Sequence, residues 1–353
     1  MTDEQHTADQ RGEDALKDAG LVGGALPKDS PAAHQAADIS GALSEAKGGG
    51  SFGTMLEPVL RSVCEDRLSE VSWFRTDWQR GGAVTGYATY KGDDGENRSV
   101  VVKLPVPPCE LQWMKVMQGF QDVVPKLYAG GDVLGGYDMA WLVMERLPHG
   151  PLGTTWGGQE FDLLVEAIGR FYQASADIPT NTEHDHRDWH AIFDHARKSV
   201  RTNALPESQR WSKALKKANR KYKDWAGIWN DRPMEYWCHG DLHLGNAMTR
   251  AEPPQGPAVL FDLAKVCVSH WVQDGVYLEH LYWGRPDDLG GRKLCKELAH
   301  HRKKIGLQVD KGWSDLAQAK RALLAMSVPA RLDVDGNALY VNGALQVLER
   351  AVE

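Results

Sequence analysis

The sequence predicts an α+β fold in two parts. Short β-rich runs separated by glycine-containing turns occupy residues 71–146, and after Pro148-His149-Gly150-Pro151 the chain changes to long helical periodicities. At 353 residues the chain is about twice the ~150 residues typical of one domain, so one large or two modest lobes are expected from length. The expected organisation is a disordered acidic leader over 1–50, a first lobe over 51–147 and a second over 148–353.

The leader is rich in Ala, Gly, Asp and Gln and ends in Gly48-Gly49-Gly50. Over 52–69, Met55, Leu56, Val59, Leu60 and Val63 recur at helical spacing, with Pro58 tolerable only near the first turn. Three antiparallel strands are expected over 71–76, 84–90 and 99–104, divided by Arg80-Gly81-Gly82 and by the turn at Lys91-Gly92-Asp93-Asp94-Gly95. Pro107-Pro108 then opens a helix carrying Leu111, Met114 and Met117, which ends near Gly119. Strands over 126–129 and 139–146 complete a small five-stranded antiparallel lobe with one helix. The larger, mostly helical lobe follows, with helices expected over 161–176, 190–202, 207–229, 272–282, 292–305, 314–326 and 344–352.

Composition excludes several classes of function. The net charge of −7 argues against broad nucleic-acid or anionic-membrane binding, and residues 1–50 alone hold nine acids against four bases, leaving the rest nearly neutral. Five cysteines without a C-x-x-C pair indicate neither a disulfide framework nor a zinc knuckle, and read as buried free thiols. With no signal-like opening and no run of 18 apolar residues, a cytoplasmic protein is expected, as a monomer or homodimer without membrane or nucleic-acid partners.

The strongest chemical signal is His239-Gly240-Asp241-Leu242-His243-Leu244-Gly245-Asn246, followed by an acid, Asp262, at the end of the apolar Leu260-Phe261. Phosphoryl transfer uses a carboxylate to take the acceptor's proton, and oxygen ligands for magnesium. Asp241, Asn246 and Asp262 supply that set. The stretch 249–258, with Pro253-Pro254-Gln255-Gly256-Pro257, is a tight β connection that returns Asp262 to the same end. Lys103, on the third strand, is placed to neutralise nucleotide phosphates, and Glu110 is the one acid between it and Asp122. The competing reading of Glu110 is a first-turn acid favoured by the helix dipole.

Over residues 71–282 the chain resembles the protein-kinase-like fold and, within it, the aminoglycoside phosphotransferase family, whose catalytic loop reads His-Gly-Asp-x-x-x-x-Asn. The resemblance implies an ATP- and Mg2+-dependent kinase that phosphorylates a hydroxyl of a small molecule such as a sugar, amino alcohol or aminoglycoside. It further implies Asp241 as catalytic base, Asn246 and Asp262 as magnesium ligands, and Lys103 with Glu110 as the phosphate-clamping pair. Glu145 and Leu147 take the hinge positions whose backbone binds adenine, Gly81 and Gly82 belong to the nucleotide loop, and Asp274 braces the catalytic loop. A G-x-G-x-x-G pattern is missing, so a kinase-like nucleotide-binding protein without transfer activity is the second reading. The long activation loop and Ala-Pro-Glu element that dock peptides are also missing, which favours a small acceptor.

Other patterns have simpler readings. Gly49-Gly50-Ser51-Phe52-Gly53 lacks the preceding strand of a nucleophile elbow. His184, His186, His190 and His195 read as solvated, and Asp333-Val334-Asp335-Gly336-Asn337 as a turn. Ten basic residues over 197–223 read as a solvated helical face. More than half of the 13 tryptophans are expected in the core, with Trp189, Trp225, Trp229 and Trp271 the ones to inspect for stacking on a sugar ring.

Overall fold

The computed structural model describes residues 52–74, 83–120, 122–154, 158–180, 187–203, 205–331 and 337–353. The predicted leader, the Gly81-Gly82 turn and most of the 333–337 turn lie outside the described residues. The chain divides into two compact units, one formed by the chain up to Lys115 together with Lys126–Arg146, the other by Val116–Pro125 and Leu147–Glu353.

The first unit is built on an antiparallel sheet of five strands, β1 (Ser72–Phe74), β2 (Val84–Lys91), β3 (Asn97–Val106), β4 (Leu127–Gly131) and β5 (Ala140–Glu145), in the order β1-β2-β3-β5-β4. Period-two alternation in β3 buries Val100, Val102, Leu104 and Val106 and turns Lys103 to the opposite side. Helix α1 (Phe52–Val63) lays Leu56 and Leu60 on that core beside Val100, Val102, Trp141 and Val143. Its Glu57 carboxylate accepts from the Val71 N–H at 3.0 Å and the Trp73 indole N–H at 2.8 Å, fixing helix to sheet. Among the described residues this unit holds α1 and α2 (Pro108–Met117), the helices expected over 52–69 and after Pro107-Pro108. Helix α1 also runs through Pro58 and stops six residues early. Glu65 and Asp66 take left-handed φ of 53° and 56°, after which Leu68 bridges Tyr90 in the sheet.

The second unit is mostly helical, with α3 (Glu160–Ser175), α4 (Trp189–Thr202), α5 (Ser208–Ala218), α6 (Tyr222–Asn230), α7 (Val272–His280), α8 (Leu294–Lys304), α9 (Trp313–Ser327) and α10 (Ala338–Val352). The single helix expected over 207–229 is two, α5 and α6, broken at 219–221. Helix α10 begins at Ala338 rather than 344, because the Asn337 side chain accepts from the Leu339 N–H at 2.9 Å as an N-cap.

Two small antiparallel sheets lie among these helices: β6 (Tyr236–Cys238) with β9 (Cys267–Ser269), and β7 (Ala247–Thr249) with β8 (Ala258–Leu260). Arg170 on α3 ties the β7–β8 sheet to the 122 region, donating to the Ala258 carbonyl at 2.6 Å and the Asp122 carbonyl at 3.1 Å. Trp189, Trp225, Trp229 and Trp271 are all buried, so these four are core rings and not open to a sugar. The five cysteines are free; Cys64, Cys238 and Cys295 are buried, whereas Cys109 and Cys267 are half-buried. No described helix is long and apolar enough to cross a membrane.

Candidate active site

In the first unit, Lys103 leaves β3 on the face away from the hydrophobic core and meets Glu110 in the first turn of α2. Its ammonium donates to both carboxylate oxygens, at 2.7 and 3.0 Å, and Glu110 is 1% exposed. Seven residues suffice because the chain passes directly from the end of β3 into α2. Glu110 is therefore the lysine's partner and not a solvated helix-terminal acid. Glu145 ends β5, donating its backbone N–H to the Lys126 carbonyl at 2.8 Å, and Leu147, buried, opens the second unit's longer stretch.

In the second unit, the 239–246 loop leaves β6, makes a 3-10 turn over Leu244–Asn246 and enters β7. The β7–β8 hairpin brings the chain back, the Phe261 N–H donates to the Asn246 carbonyl at 3.1 Å, and Asp262 follows. Asp262 adopts a left-handed φ of 60°, a strained conformation for a residue with a β-carbon and one that tends to mark functional positions.

The loop is fixed from behind by two buried groups. Asp274, in the first turn of α7, accepts from the His239 N–H, the Gly240 N–H and the Tyr172 hydroxyl, each at 2.9 Å. Burial raises its carboxyl to about 6 against the opposing pull of those three donors. His239 is also fully buried, and its Nε2 lies 3.1 Å from the Phe261 carbonyl while its Nδ1 accepts from the Asp241 N–H at 3.3 Å. Those partners define a neutral ring protonated on Nε2, in keeping with burial lowering its pKa to about 4. One imidazole thereby ties the backbone of Asp241 to the residue preceding Asp262. Gly240 has a φ of 78°, and a β-carbon there would stand 2.0 Å from the Lys265 carbonyl oxygen, so glycine is required.

Asp241 presents its carboxylate to two donors, the Tyr277 hydroxyl on Oδ1 and the Lys265 ammonium on Oδ2 at 2.9 Å. Burial pushes its pKa up, but the two donors and the nearby His243 prevail and leave it lowered. Asn246 donates its amide N–H to the Asp241 carbonyl at 3.0 Å, which orients the side chain and leaves the amide oxygen as its potential metal-binding atom. Asp262 is near enough to act electrostatically on His239, His243 and Tyr277. Among the described residues no group of three or more His, Cys, Asp or Glu could hold a metal, so the His190 and His195 part of the histidine cluster forms no such site. An amide oxygen and a carboxylate from Asn246 and Asp262 do fit magnesium, which takes few protein ligands and keeps waters and phosphate oxygens.

The sequence reading brought Asp241, Asn246 and Asp262 into one unit and paired Lys103 with Glu110, but missed Tyr277 and Lys265. The signal for Tyr277 was its position three residues after Asp274, on the same helix face.

The antiparallel sheet of five strands, the helical unit and this loop define a phosphotransferase of the small-molecule kinase class. Residues 86–299 match the model of the phosphotransferase enzyme family, and the chain belongs to that family, which is that of the aminoglycoside phosphotransferases. No curated protein sequence matches the chain.

Among solved structures it is similar to an aminoglycoside phosphotransferase from Alicyclobacillus acidocaldarius, at 14% identity and a TM-score of 0.54 over 81% of this chain and 92% of that one. It is also similar to a microcompartment-associated aminopropanol kinase, at 15% identity and a TM-score of 0.52 over 83% of this chain and 94% of that one. A thermostable mutant aminoglycoside phosphotransferase in ternary complex with ADP and hygromycin B matches at 12% identity, with a TM-score of 0.51 over 83% of this chain and 97% of that one. At these identities the similarity concerns the fold.

Proposed function

We propose that the protein transfers the γ-phosphoryl group of ATP directly to a hydroxyl of a small molecule, with Asp241 as the proton acceptor. The observation that carries this reading is the Asp241 carboxylate, kept ionised inside a buried loop by Tyr277 and Lys265. In the transfer the acceptor oxygen bonds to the γ-phosphorus, the bond from that phosphorus to the bridging oxygen of ADP breaks, and the hydroxyl proton passes to Asp241. Lys265 has a side chain 61% exposed and can swing off Oδ2 as the acceptor arrives, whereas Tyr277, held on α7, keeps the carboxylate aimed.

Lys103, oriented by Glu110, neutralises the nucleotide's α- and β-phosphates, and the backbone at Glu145 and Leu147 receives adenine. Gly81 and Gly82 are assigned to the nucleotide loop by sequence alone. Asn246 and Asp262 would hold magnesium, which when bound neutralises charge on the phosphates. Most of the rate enhancement then comes from positioning and charge.

The test is ATP consumption against a panel of sugars, amino alcohols and aminoglycosides. Asp241→Ala should abolish turnover while ATP still binds, and Asp262→Ala should weaken nucleotide binding as well. Turnover retained by purified Asp241→Ala refutes the assignment. Nucleotide binding with no product from any acceptor favours the reading without transfer activity.

A further inference from the structure

Beyond Asp241, the second unit holds a buried positive charge that the transfer step does not use. Lys320, on α9, is 5% exposed, with its ammonium 4.2 Å from the centre of the Trp229 ring on α6. The Arg232 guanidinium lies 4.4 Å from the same ring, so two cations share one indole. Among the described residues, Lys320 and the exposed Arg331 have no carboxylate within salt-bridge distance, and the strongest electrostatic influences on Lys320 come from Arg187, Arg232 and Arg331.

This cluster is linked to the proposed base. Tyr277, which bonds Asp241, has its ring 4.8 Å from that of His280, which is 6.1 Å from the ring of Tyr340. Arg331 acts electrostatically on both His280 and Tyr340, and Lys320 on His280.

An ammonium taken out of water is costly unless it is paired, and a cation–π contact offsets only part of that cost. Neighbouring guanidinium groups add repulsion. A site so built is completed by an anion and repels a polycation.

We propose that the acceptor substrate carries an anionic group, a carboxylate or a phosphate, received by Lys320 and Arg331, so that the phosphorylated hydroxyl belongs to an acidic metabolite and not to an aminoglycoside. The inference rests on Asp241 being the proton acceptor of the transfer. Burial first, and then Arg187, Arg232 and Arg331, lower Lys320 to about 7, and a bound anion restores its charge.

Turnover is measured with matched acceptors: hydroxy acids, sugar phosphates, neutral polyols and aminoglycosides. Acidic acceptors should exceed neutral ones at least tenfold in kcat/KM, and whichever acidic set reacts identifies the anionic group. Lys320→Met, which keeps the chain length against Trp229, should raise KM for the acidic acceptor at least tenfold with KM for ATP unchanged. Arg331→Gln, in an exposed position, should raise it in the same direction. A preference for neutral or cationic acceptors, or an acidic-acceptor KM unmoved in both variants, overturns the proposal.

A binding arm keeps the two readings apart. In Asp241→Asn with ADP present, malonate and inorganic phosphate are titrated while tryptophan fluorescence is followed. A saturable change that Lys320→Met abolishes supports the anion site even if no acceptor turns over, in which case only the transfer reading falls. No change with either anion overturns the anion site.

Discussion

Asp274 offers a test in which the structure sets both size and sign. Its carboxylate is 0% exposed and accepts three hydrogen bonds, from the His239 and Gly240 backbone and the Tyr172 hydroxyl. Asp274→Ala leaves three buried donors unsatisfied, at about 1–2 kcal/mol each, or ~3–6 kcal/mol in all. The loss depends on pH. With a folded-state value of about 6, above the ordinary carboxylate range, the group's stabilisation is full below its unfolded pKa and is lost as pH rises through 6. About two pKa units correspond to ~3 kcal/mol. Denaturant unfolding of wild type and Asp274→Ala at pH 4 and pH 8 should therefore show a stability difference larger at pH 4, by ~3 kcal/mol. Equal differences at the two pH values, or a loss below ~1 kcal/mol at pH 4, would contradict the role of this carboxylate as the loop's clamp.

Two further substitutions probe the groups around the chemistry. Tyr277→Phe removes a donor that holds Asp241 low, so burial weighs more and the acid limb of the kcat/KM profile should move to higher pH with KM for ATP unchanged. An unmoved limb separates Tyr277 from the base. Glu110→Gln takes the bidentate partner from Lys103, and KM for ATP should rise about tenfold, equivalent to ~1.4 kcal/mol, with KM for the acceptor unaffected. Isothermal titration with ATP measures the same loss, and an unchanged affinity contradicts the pairing.

The strands were legible because β3 alternates apolar and polar residues and its neighbours are separated by glycine-containing turns. The break between α5 and α6 was not. Trp211, Leu215, Ala218, Tyr222, Trp225 and Trp229 keep helical spacing straight through it, and residues 219–221 hold neither Gly nor Pro to mark it. The end of α1 was hidden for a related reason: its signal is left-handed backbone at Glu65 and Asp66, which acidic side chains do not announce. Asp241, Asn246 and Asp262 could be grouped from the sequence because one short loop and one hairpin connect them. Lys265 could not, since its contact with Asp241 arises from tertiary packing, and Tyr277 was marked only by its spacing from Asp274, its contact depending on the seating of α7. Lys320 lay in a helix read as ordinary amphipathic structure, and only packing against Trp229 reveals its charge as buried.

The two aspartates near the catalytic loop show how environment divides their roles. Asp274 faces only uncharged donors and is wholly enclosed, so burial prevails and its carboxyl rises to about 6. Asp241, with its side chain 13% exposed, faces an ammonium and a hydroxyl, and these hold it lowered against the same force. Groups whose pKa values are pushed apart in this way reveal which can do acid–base work and which is structural. A carboxylate that is wholly enclosed and committed to three backbone and side-chain donors cannot reach a substrate, and cannot move without dissolving the loop. In the proposed transfer, Asp241 would be freed for the acceptor by displacement of one exposed lysine, Lys265.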